Sequence, residues 1–235
     1  MLKFFLSIKT YLWLTGISIG AFLAGSIYIP GNLAVFSEIN DIPLFTWMSE
    51  NHDDVSKYLW IYLLIGLMLL LWISTLICSI EAVIKRTTRR TFMRVLSPQV
   101  LHIAILFVLL GYFVSASTGY KHDVPMNVGE AQEVKGFELR IDNMEFFKNP
   151  GEDSTRWRVH LKINNDTHKL EVGEPAFYKG VGFFAKSADQ ARKKAIIGLI
   201  YDPGVLWELI GAVVFILGAF GLFYVRFNEQ VNYKV

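Results

Sequence analysis

Five histidines are the residues best suited to chemistry: His52, His102, His122, His160 and His168. One of them, His102, falls within a long apolar run, residues 100–120. An ionisable side chain at membrane depth is a functional candidate, because it is costly to keep there without a role or a partner. A buried neutral imidazole can ligate iron. The plainer alternative is a histidine near the membrane interface, bonded to a backbone carbonyl or a lipid headgroup. A site with two histidine ligands needs a second intramembrane histidine on another helix, and the sequence offers none. Iron held at His102 therefore takes its other ligand from another chain, or has none. His52 lies just ahead of the second apolar run, where it could meet a ligand at the outer surface or simply be solvated. His160 stands on the polar side of a strand pattern among Arg156, Arg158 and Lys162. His168 follows a turn, and His122 sits in a polar stretch beside Lys121 and Asp123, which reads as a solvated linker.

Other catalytic constellations are missing. The sequence has no GxSxG, HExxH, P-loop or CxxC pattern. One cysteine, Cys78, excludes an intrachain disulfide, a zinc ribbon and a covalent CxxCH haem site in this chain. Glu208 stands about one turn into an apolar run, where a helix N-terminus favours a carboxylate. The chain reads as not catalytic alone.

The elements that must position His102 follow from the distribution of apolar residues. Hydrophobic residues make up 53% of the 235 and charged residues 19%, against about 45–50% and ~25% in soluble domains. Residues 11–30, 58–80, 100–120 and 204–225 form four runs, each long enough to cross roughly 30 Å of hydrocarbon as a helix. In lipid, such segments must satisfy their own backbone hydrogen bonds, so they are helices. We assign them to residues 11–33, 58–82, 98–118 and 204–235, the last including a tail. The first run could be a cleaved signal peptide, but its length and the three further runs favour an uncleaved anchor. The loop after the second run carries Lys85, Arg86, Arg89, Arg90 and Arg94, whereas the stretch before it is acidic, with Glu38, Asp41, Glu50, Asp53 and Asp54. The positive-inside rule puts both termini in the cytoplasm and residues 119–203 outside. A net charge of +2 gives no basic stripe for nucleic acid.

Residues 119–203 carry 13 acids and 13 bases and alternate with period two. Trp157, Val159, Leu161 and Ile163 alternate with Arg156, Arg158, His160 and Lys162, as in a half-buried strand. Asn164-Asn165-Asp166 turns into a strand over 167–172, and Phe137, Leu139 and Ile141 alternate with charged residues. Residues 148–154 form a loop, and 177–186 and 195–201 supply further strands. The expected fold is therefore four transmembrane helices with one extracytoplasmic antiparallel β domain inserted between helices 3 and 4. The domains are 1–118, 119–203 and 204–235.

Ser97-Pro98 and Asp202-Pro203-Gly204 read as helix openings. In the last run Gly204, Gly211 and Gly218 recur every seven residues on one face. Small residues let helices approach closely. That face packs either within this chain or against a partner subunit.

With these parts in order, the chain resembles the ResB/CcsB family of the System II route of cytochrome c maturation. The resemblance rests on Phe4-Phe5-Leu6-Ser7-Ile8-Lys9 before the first run, and on Trp60 through Leu76-Ile77-Cys78 with Lys85-Arg86. It continues in Leu101-His102 with Leu109-Leu110-Gly111, in Gly119-Tyr120 with Val128-Gly129-Glu130, and in Asp202-Pro203-Gly204 with Leu217-Gly218. It implies a bacterial cytoplasmic membrane protein that partners a CcsA/ResC-type protein carrying a tryptophan-rich haem-handling motif. The pair would export haem b and present it to apocytochrome c. This chain lacks the tryptophan-rich segment, so it would be an accessory subunit. Its outer domain is shorter than in many members, and no histidine stands over residues 54–58 just before the second run. If the family's intramembrane ligand maps there, it is missing; if it maps to the third helix, His102 fills the role. The reading from a different class is a non-catalytic scaffold or anchor of a membrane respiratory or transport complex. Four spans with one ionisable group near an edge give a transporter no midplane site.

Overall fold

Apolar runs too long for a soluble core become helices here, and alternating segments become strands. A computed structural model describes residues 7–50, 57–86, 92–148 and 156–232. The chain divides into a helical unit, 1–39 with 44–117 and 204–235, and a β unit, 40–43 with 118–203. Four helical stretches, Lys9–Phe36, Leu59–Ile84, Leu96–Thr118 and Val205–Phe227, are long and apolar enough to cross a membrane.

In the helical unit, α1 (Ile8–Tyr28) leads through a 3-10 turn at Ile29–Asn32 into the short α2 (Leu33–Phe36) and α3 (Leu44–Glu50). Then come α4 (Leu59–Arg86), α5 (Phe92–Thr118) and α6 (Val205–Asn232). Hydroxyls within the apolar helices turn back onto their own backbone. Ser18 donates to the Leu14 carbonyl at 2.8 Å, Thr75 to Leu71 at 2.8 Å and Ser117 to Phe113 at 2.6 Å. Leu14 and Ala21 of α1 pack on Leu67 of α4, with Leu64 and Leu71 flanking. Between α1 and α4 the chain folds into an aromatic cluster, in which Phe36 stacks on Trp47 at 5.4 Å and Trp47 meets Tyr58 edge-on at 5.4 Å. The Trp47 indole donates to the Val35 carbonyl, so its polar end is satisfied.

Both helix openings differ from expectation. Ser97-Pro98 does not start the third helix; α5 begins at Phe92 and Pro98 lies inside it. The residues from Phe92 to Ser97 contain no helix breaker, so the helix starts before the apolar span does. Pro98 then has no N–H to give to the turn before it. The fourth helix starts just past the Asp202-Pro203-Gly204 opening, at Val205, and the first carbonyl to accept is that of Gly204, from Glu208 N–H at 3.1 Å, so Gly204 and not Asp202 stands at the cap.

The β unit is a sandwich of two four-stranded antiparallel sheets, ordered β1-β8-β7-β6 and β2-β3-β4-β5. The strands are β1 (Tyr120–Asn127), β2 (Ala131–Val134), β3 (Phe137–Phe147) and β4 (Arg156–Ile163). They continue as β5 (Asp166–Glu171), β6 (Ala176–Tyr178), β7 (Val181–Asp189) and β8 (Lys194–Tyr201). Alternate residues of both sheets close one core, with Val124, Phe183 and Leu199 from one sheet and Leu139, Leu161 and Leu170 from the other. The Asp41 carbonyl accepts from Lys121 N–H at 3.0 Å, which ties residues 40–43 to this unit.

Two expectations need correction here. The stretch around His122 is a strand and not a linker: His122 lies in β1, opposite Leu199. The single strand expected over 177–186 is two, because Lys179-Gly180 turns the chain between β6 and β7. Both residues have positive φ, 48° and 82°, as a two-residue hairpin turn of this hand requires. Most of the expected loop over 148–154 lies outside the described residues.

Candidate intramembrane histidine site

His102 lies on α5, six residues after Leu96, where the apolar span begins; that is about 9 Å along the helix axis. Two polar side chains meet its Nδ1. Gln99, one turn earlier on the same face, places Oε1 3.3 Å away. Ser79 of α4 places Oγ 3.5 Å away. Gln99 and Ser79 are both buried, at 8% and 4% exposed. An amide oxygen only accepts, so the Gln99 Oε1 contact is a hydrogen bond when the ring carries its proton on Nδ1 and donates, whereas the Ser79 hydroxyl can meet either tautomer. With the proton on Nδ1, Nε2 keeps its lone pair, and it has no hydrogen-bond partner among the described residues. Ligating imidazoles commonly donate their second nitrogen in this way.

The helix that carries His102 fits tightly against α6 as well. The face of α6 that carries Gly204, Gly211 and Gly218 is covered by α5 of the same chain. A Cβ at Gly211 would stand 2.9 Å from the Ala104 carbonyl oxygen and 2.7 Å from a Val108 methyl. One at Gly218 would stand 3.0 Å from Val100, and Gly204 lies against the backbone of Gly111 and the side chain of Ser115. Phe107 and Trp207 stack across the same seam at 6.0 Å.

The remaining histidines are apart from this site. His160 of β4 faces Glu145 at 3.2 Å. His168 of β5 lies edge-on to Tyr178 at 5.8 Å, with its Nε2 buried and unpartnered. His122 is exposed on β1. His52 lies outside the described residues. Among the described residues no three His, Cys, Asp or Glu side chains gather as a metal site. Cys78 is half-buried.

On the outer face of the second sheet, Arg158 bridges Glu171 of β5 and Glu145 of β3. Hydrogen bonding from Arg158 holds the Glu171 carboxyl below the ordinary carboxylate range, with Lys169 adding to the effect. In the other sheet, burial and the nearby Tyr201 phenol push the Tyr120 phenol up. In the helical unit, an open apolar cleft of about 370 Å³ lies between α1 and α4, lined by Ala24, Tyr28, Lys57, Leu59, Trp60 and Leu63.

Sequence reading singled out His102 but not the residues that hold it. The three-residue spacing of Gln99 and His102 was the available signal for the first. Ser79 required knowing which helix packs beside α5.

No protein-family model matches the sequence, and no curated protein matches it. Among solved structures, the chain is similar to a cytochrome c haem lyase, CcmF. The identity is 16% and the TM-score 0.49, over 67% of this chain and 29% of that one. The chain thus spans less than a third of that protein's length. No residue role is carried across at this level of likeness.

Proposed function

We propose that this chain is a ResB/CcsB-like accessory subunit of a System II cytochrome c maturation complex in a bacterial cytoplasmic membrane. The observation that carries the reading is His102: an intramembrane imidazole with Nδ1 engaged and Nε2 left to ligate. The order of three apolar helices, a β domain and a closing helix supports it, as does the sequence resemblance. In this reading haem b is cargo on its way out. His102 offers one axial ligand through Nε2, and a CcsA/ResC-type partner supplies the other, since the described spans contain no second histidine. His52 is a weaker candidate for a contact at the outer surface. Both termini lie in the cytoplasm and the β domain outside, where it meets the partner or the apocytochrome c.

The competing reading is a non-catalytic scaffold or anchor of a membrane respiratory or transport complex. The lack of a second intramembrane histidine favours it.

The test is an absorption spectrum of the detergent-purified protein, with and without its copurifying partner, beside His102→Ala. Reduced Soret and α bands that need the partner and vanish in the variant support haem handling. Haem-free protein in both preparations overturns it in favour of the scaffold.

A further inference from the structure

Gln99 and Ser79 are buried polar residues in an apolar stretch, and both reach the same nitrogen of His102. A buried amide is costly unless it is hydrogen-bonded. Gln99 gives its oxygen to the ring, and in low dielectric such a bond orients strongly. We infer that Gln99, backed by Ser79 across the α4–α5 seam, is a positioning residue that fixes the His102 proton on Nδ1 and reserves Nε2 for the iron of incoming haem. The assignment of haem as ligand rests on the function proposed above; the proton placement does not.

Two points carry the inference. Gln99 and His102 are three residues apart on one helix, so their contact needs no loop to order. Ser79 approaches the same nitrogen from a second helix, so the contact is shared between α4 and α5. The geometry also defines its own opposite: an amide turned end for end would donate to Nδ1, move the proton to Nε2 and block the ligating nitrogen.

The experiment begins on the full chain without haem, labelled with 15N-histidine in lipid nanodiscs. Loss of one signal pair in His102→Ala assigns the ring. The expected result is a protonated Nδ1 and a bare Nε2 in the wild type, with the proton moving to Nε2 in Gln99→Leu. A wild-type ring protonated on Nε2 overturns the inference, and so does a Gln99→Leu ring with the wild-type proton placement. The wild-type spectrum decides the first point even where a variant fails to fold.

Hemin titration of the same samples, with and without the copurifying partner, then reads the consequence. Gln99→Leu weakens hemin binding by about 10- to 100-fold, the range for loss of such a partner. Gln99→Glu keeps binding and lowers the midpoint potential, because a carboxylate draws the Nδ1 proton more strongly and the ring becomes a better donor to ferric iron. His102-dependent binding that ignores both Gln99 variants overturns the positioning role and leaves the proposed function standing. The expected proton placement with no hemin uptake supports the positioning of the ring and overturns the haem reading.

Discussion

Gly211 of α6 lies against Ala104 of α5 so closely that an added Cβ would stand 2.9 Å from the Ala104 carbonyl oxygen. A carbonyl of the facing helix cannot swing aside as a flexible side chain can. The helices must therefore move apart to accept any side chain. We expect Gly211→Leu to cost at least the 1–3 kcal/mol typical of overpacking, and to lower the thermal midpoint of the detergent-solubilised protein. Gly16→Leu is the control, because nothing lies within 4 Å of its added Cβ. Equal loss in the two variants, measured by size exclusion after heating, would show that the glycine seam does not hold the helices.

The sandwich makes a second contrast. Phe183 is fully buried and meets Phe137 edge-on at 5.7 Å, whereas Phe177, on the opposite face of the same sheet, is 70% exposed. Phe183→Ala leaves a cavity between the sheets, with an expected cost of about 3–5 kcal/mol. Phe177→Ala should change stability by no more than about 0.5 kcal/mol. Denaturant unfolding of the full chain, followed by the Trp157 environment, separates the two. A large loss at Phe177 would mean that its exposed ring is covered in the folded protein.

These contrasts show where pattern was legible and where it was not. The four spans were plain because long uncharged runs have few other uses. β4 was plain because Trp157 through Ile163 alternate without a break. β1 was hidden by the polar run Lys121-His122-Asp123, which reads as a solvated linker; as an edge strand β1 can carry such residues, and can also spare the N–H that Pro125 lacks. The β6–β7 turn was hidden because lysine at Lys179 rarely takes a positive φ. At the site, His102 stood out as a charge-capable residue in an apolar run. Gln99 did not, since one amide near a span's end is unremarkable until its bond is seen. The glycine spacing announced a close contact, but which helix it met is a property of packing.

The Arg158–Glu171 pair gives a pH dependence on the acid side. The Glu171 carboxyl titrates below its ordinary value of 4.5 in the folded chain, because it accepts from Arg158. The folded state therefore binds fewer protons than the unfolded one as acid is added. The stability from this pair is present above the unfolded value and is lost as pH falls through the folded one. We expect wild-type thermal midpoints to fall more steeply than those of Glu171→Gln as pH drops below about 4.5. Parallel curves for the two proteins would remove Glu171 from the acid limb.

Tyr120 gives the opposite dependence at the alkaline end. Its ring lies 5.4 Å from that of Tyr201, at the paired ends of β1 and β8. Burial first, and then the charge a neighbouring phenolate would carry, raise its titration above the ordinary value of 10.0. A raised folded value means that the folded chain holds the proton longer. Its contribution is complete below the unfolded value and fades as pH rises through the folded one. Phenolate absorbance near neutral to strongly alkaline pH should show a late-titrating component in the wild type. Tyr120→Phe should remove it, and Tyr201→Phe should move what remains toward the ordinary value by the smaller, electrostatic share. If the late component survives Tyr120→Phe unchanged, another phenol carries it, and the contact with Tyr201 does not set the titration of this edge.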